Sequence, residues 1–117
     1  MRQDQAPHPV TELDETVHQR VRLGVLAVLT EADGATFTYL RRVLDVTDGN
    51  LSAHLAVLAK AGLMEVEKGF VANRPQTWLR ATPKGRATFN AEMAALSRLV
   101  ARYRGTHTAS SHQQKRS

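Results

Sequence analysis

The chain has 117 residues, 42% of them hydrophobic and 23% charged, with a formal charge of +5 and a pI of about 10.2. That profile is one soluble globular domain, able to bury roughly two thirds of its unfolded surface, and its basicity points to a polyanionic partner. The absence of cysteine excludes disulfides, thiolate metal sites and cysteine nucleophiles.

Residues 1–10 hold two prolines and little that can pack, and read as a flexible arm. A first helix is expected from near Thr11, with Asp14 three residues on as a capping carboxylate. Leu13, Val17, Val21, Val25 and Val28 recur at helical spacing. From Leu23 to Leu29 the helix is apolar nearly all round, which predicts burial on more than one side. That stretch is also the longest apolar run, far too short to span a bilayer. Ala32-Asp33-Gly34 supplies the stop.

Thr36 caps a short second helix with Phe37, Leu40, Val43 and Leu44 on its apolar face; Arg41 and Arg42 project elsewhere. It must end near Asp45, because Thr47-Asp48-Gly49 is a new start signal. Leu51, Leu55, Leu58 and Gly62 then share one face of a third helix. The opposite face carries Gly49, Ala53, Ala56 and Lys60, flanked by Asn50, Ser52, His54 and Val57.

After Ala61-Gly62, Leu63 to Lys68 alternates apolar and charged, the pattern of a half-buried strand. Thr77 to Ala81 reads as its partner across a long basic loop holding Gly69 and Asn73-Arg74-Pro75-Gln76. Thr82-Pro83 caps a last helix running to about Arg104, with Phe89, Met93, Leu96 and Val100 at helical spacing and Tyr103 beside them. The tail 105–117 has no large apolar residue and is expected to be disordered. Because it carries only Lys115 and Arg116, the positive balance belongs mainly to the folded body, 11–104.

Two short helices joined by Val46-Thr47-Asp48 form a helix-turn-helix unit. Small residues on the outer face of the third helix allow close backbone approach, and Asn50, Ser52 and His54 can hydrogen-bond there. The major groove of B-DNA admits a helix presented in this way. The stretches TDGNLSAHLAVLAKAGLMEVEKGF and RPQTWLRATPKG resemble the small winged-helix transcriptional regulators of the MarR/ArsR-like superfamily. The similarity also reaches LDETVHQRVRLGVLAVL and FTYLRRVLDV.

The resemblance implies a mainly α fold with a β-hairpin wing, a winged helix-turn-helix. It implies a homodimer on a pseudo-palindromic double-stranded operator, most simply a repressor in the cytoplasm. Gly49, Asn50, Ser52, Ala53 and His54 match positions that face DNA on the recognition helix, and Lys60 lies on the same outer face. Lys68, Arg74, Gln76 and Thr77 match wing positions. Arg41 and Arg42 lie on the helix that crosses the DNA backbone in such units. The dimer is expected from the first and last helices, through Leu13, Val17, Phe89, Met93, Leu96, Val100 and Tyr103. Relatives often bind a small-molecule effector, for which Tyr39, Trp78, Phe89 and Met93 are candidates as much as they are core.

Plainer readings stand beside these. His54 can equally pack at the corner between helices 2 and 3, and Arg41 and Arg42 can be a solvated face. Trp78 reads as packing, since a lone tryptophan carries a large burial term. Glu65 and Glu67 repel phosphate and are placed on the outer flank of the hairpin. The five histidines form no metal-ligand spacing, and no catalytic constellation can be assembled, so no metal, cofactor or enzymatic activity is expected. The rival reading is a winged-helix module that binds protein instead of DNA. RNA binding would need exposed aromatics.

Overall fold

The computed structural model describes residues 8–115, with side chains described to residue 105. A short 3-10 helix, Pro9–Glu12, precedes α1 (Arg20–Glu31). Then come β1 (Ala35–Thr36), α2 (Phe37–Leu44), α3 (Asp48–Lys60), β2 (Met64–Val71), β3 (Arg74–Ala81) and α4 (Pro83–Lys115). The strands form an antiparallel sheet in the order β1-β3-β2. Helices and a β-hairpin in this order make a winged helix-turn-helix.

The caps of α2, α3 and α4 lie where the sequence puts them. Thr36 accepts from the Tyr39 N–H and Thr47 from the Asn50 N–H, both at 3.1 Å. The Thr82 hydroxyl accepts from the Gly85 N–H at 2.9 Å and donates to the Gly62 carbonyl at 2.7 Å. Asp45 closes α2 in the left-handed region at φ 55, and Gly62 follows α3 at φ 76. One core gathers Val21, Val25, Leu26 and Leu29 of α1, Leu40 of α2, and Leu51, Leu55 and Leu58 of α3. Met64, Leu79 and Ala81 of the sheet complete it. Each fully buried leucine contributes roughly 1.5–3 kcal/mol.

Two glycines set packing distances. A Cβ at Gly24 would press on the Leu44 side chain at 2.8 Å, so α1 and α2 pack closely there. A Cβ at Gly85 would overlap the Leu63 carbonyl, which fixes the start of α4 against the α3–β2 junction.

Four expectations need correction. The first helix begins at Arg20, not near Thr11, because Gln19 is its cap and accepts from the Val21 and Arg22 N–H groups. Asp14 caps only a local turn, accepting from Thr16 and Val17 N–H. The long hairpin loop is a two-residue turn, Ala72–Asn73, with both residues at positive φ (51 and 64). That is the geometry of a type I′ turn, whose twist suits a tight hairpin, so Arg74 and Gln76 lie in β3. The short strand β1 was not foreseen. Finally, α4 runs about three turns past Arg104. No proline stops it, and extending a helix needs no new nucleus. Of the expected arm and tail, residues 1–7 and 116–117 lie outside the described residues.

Candidate nucleic-acid interface

α3 divides cleanly into two faces. Leu51, Leu55 and Leu58 are buried, whereas Gly49, Asn50, Ser52, Ala53 and Lys60 are all exposed. The fold does not demand the smallness of Gly49, since a Cβ there would meet nothing within 4 Å. The first turn of α3 is therefore an open, small and polar surface with backbone N–H groups at its end. Arg41 lies at its margin, paired with the exposed Asp48 at 3.0 Å. Arg42 lies over the Tyr39 ring at 5.8 Å from its centroid. The Arg41 guanidinium thus borders the turn between α2 and α3, whereas that of Arg42 reaches back over the first turn of α2.

His54 is held on one side. Its Nδ1 accepts from Arg22 Nη1 at 3.1 Å, because a guanidinium can only donate. The neutral ring then carries its proton on Nε2. Burial, and then the charges of Arg22 and Arg20, push its pKa below the usual 6.5. Both plain and functional readings of His54 thus retain a place: one nitrogen is used inside the fold and the ring is half-buried. Arg20 and Arg22 were not among the expected site residues. They add positive charge beside α3, and the sequence shows them only as two arginines one residue apart, Arg20-Val21-Arg22, with nothing to place them against His54.

The wing carries Lys68 and Arg74 exposed, with Gln76 and Thr77 half-buried. The register pairs Lys68 with Thr77 and Gly69 with Gln76. Alternation along β2 sets Met64, Val66, Lys68 and Phe70 on one face and Glu65 and Glu67 on the other. The first face holds the buried Met64 and lies toward the helices. Glu67 is paired with Arg80 at 3.3 Å on the far face. Trp78 is half-buried, on that same far face.

The residues expected at a dimer interface separate. Val17 is 0% exposed inside the chain's own core and has no surface for a partner. Helical spacing cannot tell an internal contact from an external one. Leu13, Met93 and Leu96 are half-buried, and Phe89 packs against the core. Val100 and Tyr103 are exposed at 44% and 62%. The segment before α1 is strapped onto α4 by Glu92, which is 2% exposed. Its carboxylate accepts from the Asp14 N–H and the His18 Nδ1–H, both at 2.8 Å. Arg98 of α4 pairs with Glu12. Among the described residues no cluster of His, Asp or Glu could hold a metal ion, and no helix is long and apolar enough to cross a membrane.

This geometry defines a class: a winged-helix domain with an open reading helix and a projecting hairpin. A family profile described as a winged-helix DNA-binding domain matches residues 21–100, and the chain belongs to that family. An uncharacterised protein of Methanocaldococcus jannaschii is 39% identical over 69 residues, spanning 59% of this chain and 75% of that one. A transcriptional regulator homologue from Pyrococcus horikoshii superposes with a TM-score of 0.74 at 29% identity, covering 80% of this chain and 94% of that one. The PcaV transcriptional regulator of Streptomyces coelicolor, solved with its natural ligand, shares the fold. Its TM-score is 0.69 at 15% identity, over 92% of this chain and 77% of that one. The chain thus has the winged-helix DNA-binding fold of transcriptional regulators.

Proposed function

We propose that the chain is a homodimeric regulator that binds a two-fold duplex operator in the cytoplasm and represses by occupying it. α3 enters the major groove, where Asn50 and Ser52 hydrogen-bond base edges and Gly49 and Ala53 admit close backbone approach. His54 Nε2–H is the donor that its tie to Arg22 leaves over. Arg41, Arg42 and Lys60 meet phosphates around the reading helix. Lys68, Arg74, Gln76 and Thr77 carry the wing onto the flanking backbone or minor groove. The observation behind this reading is the split of α3: its leucine stripe serves the fold, and its open glycine serves nothing inside the chain.

A small apolar effector has a place as well. A cleft of about 510 Å³ lies between the end of α1, β1 and the start of α2, with Tyr39 and Trp78 in its wall. Phe89 and Met93 are not among its lining residues. The presence of a natural ligand in the Streptomyces relative supports an effector here too.

The test uses duplexes recovered by the full chain from a random-sequence pool. Asn50→Ala or Ser52→Ala should cost about 1–3 kcal/mol on a recovered duplex and much less on random DNA. Arg74→Ala should weaken both alike and lower the salt slope by about one unit. An unchanged specificity ratio in folded Asn50→Ala and Ser52→Ala would show that α3 is not the reader. A chain that retains no duplex at any salt concentration would favour a protein-binding module.

A further inference from the structure

The wing ends in an apolar tip that none of the described residues covers. Phe70 is 75% exposed and Val71 is 49% exposed. They flank the Ala72–Asn73 turn, and Phe70 stands opposite Pro75. An exposed phenylalanine on a hairpin end is a liability for aggregation unless something uses it. Phe70 shares its face of the ribbon with Lys68 and the buried Met64, and on β3 with Pro75 and Thr77. No carboxylate lies on that face, since Glu65 and Glu67 leave by the other. It is the face whose inner part packs on the leucine side of α3, and the tip projects beyond that contact.

Dimensions narrow what the tip can do. β1 pairs with β3 only at Trp78 and Leu79, so the outer rungs of the hairpin have no third strand and project. At roughly 3.4 Å per residue, Pro75 lies about 10 Å beyond Trp78. A minor groove is about 7.5 Å deep and about 6 Å wide. The tip can reach its floor. Two strands about 4.8 Å apart, with side chains on both faces, do not fit the undeformed groove. An apolar side chain pressed between base steps opens such a groove by unstacking it and kinking the duplex toward the major groove.

We propose that Phe70, backed by Pro75, is an apolar wedge that enters a base step of the minor groove beside the α3 half-site and kinks the DNA. This rests on the reading of α3 as the DNA reader. Lys68, on the wedge's own face, meets a phosphate beside the opened step, and Arg74, across the turn on the opposite face of the ribbon, meets the backbone from the other side. An apolar ring at a tip that carries a cation on each face of the ribbon, Lys68 on one and Arg74 on the other, matches a base stack lined by phosphates, and an apolar protein groove would have no use for the cations. The wedge makes flexible pyrimidine–purine steps favourable at a position that the protein does not hydrogen-bond.

The test takes one duplex recovered from the random-sequence pool by the wild-type chain. It carries a fluorophore pair at its ends and 2-aminopurine at each flanking step in turn. Bound wild type should bend the duplex by about 20–90° and brighten one 2-aminopurine position. Phe70→Ala should still bind, but lose most of the bend and the brightening, whereas Phe70→Leu keeps part of both. Its salt slope should match wild type, because no charge is removed. Arg74→Ala should do the reverse, lowering the slope by about one unit and keeping the brightening. Thermal melting controls for folding, which an exposed side chain should not affect. A bend and brightening unchanged in Phe70→Ala, or absent in wild type, overturn the wedge and leave the reading of α3 standing. A wild-type chain that recovers no duplex overturns both.

Discussion

Gly49 separates what α3 needs to fold from what it needs to bind. A Cβ there has open space, and alanine in a helix is worth roughly 0.5–1 kcal/mol over glycine. Gly49→Ala is therefore expected to raise Tm while holding the helix backbone off the groove and weakening duplex binding. Melting curves and titrations on one preparation read both effects, and tighter binding in a more stable protein would refute the close-approach role. His54 gives a second residue-scale prediction. Its folded pKa lies below the unfolded value near 6.5, because burial and then Arg22 and Arg20 disfavour the imidazolium. Between those two values the unfolded chain binds more protons, so stability rises with pH. The contribution of His54 is complete above about pH 6.5 and is lost as the pH falls through the folded pKa. His54→Asn keeps an acceptor for Arg22 and removes the titration. Urea denaturation from pH 7.5 to 5 should show a smaller loss of stability on acidification in the variant than in wild type, and equal losses would assign the pH dependence to other groups.

The hairpin is the element whose local chemistry is least settled by its own residues. Ala72 sits at φ 51, where a residue with a Cβ costs roughly 1–2 kcal/mol relative to the right-handed region. Asparagine tolerates that conformation better and suits the first position of a type I′ turn. Ala72→Asn is expected to stabilise the domain by about 0.5–1 kcal/mol, read as a higher denaturation midpoint at unchanged slope. No gain would mean that the turn is held by the rungs of the ribbon rather than by its own backbone. The same residue explains why the loop looked long in the sequence: Ala72 carries no turn signature, while Gly69 and Arg74-Pro75 do. What acts locally was legible. Thr36, Thr47 and Thr82 each bond an N–H three residues on, and the leucine stripe of α3 repeats within one helix. What acts across the chain was not. Glu92 reaches Asp14 and His18 from the far end of the sequence, and with that strap invisible Val17 looked free to meet a partner. In the same way the small outer face of α3 could be read directly, but the tie from Arg22 to His54 and the projection of Phe70 needed the fold.

At the scale of the whole molecule, α4 is longer than one domain can use. Along it Phe89, Met93, Leu96, Val100 and Tyr103 follow alternating steps of four and three, the seam of a coiled coil. Burial declines along this seam. Phe89 packs on the core, Met93 and Leu96 are half-buried, and Val100 is 44% exposed. The helix thus leaves its own core with the apolar seam continuing, and the simplest cover is the same seam of a second chain across a two-fold axis. That axis would also set two copies of α3 on successive major-groove faces, about 34–36 Å apart on the duplex. Removing α4 is a poor test, because Glu92 and the buried Ala95 belong to the domain itself. Val100→Glu is a better one. It places a charge in the seam, leaves the core intact, and in a two-fold pair meets its own copy. Sedimentation should show a dimer for wild type and a folded monomer for Val100→Glu. The monomer should bind a full operator no better than a half-site, while wild type should strongly prefer the full site. A Val100→Glu chain that stays dimeric places the interface elsewhere, and equal wild-type affinity for half and full sites removes the two-fold reading of the operator.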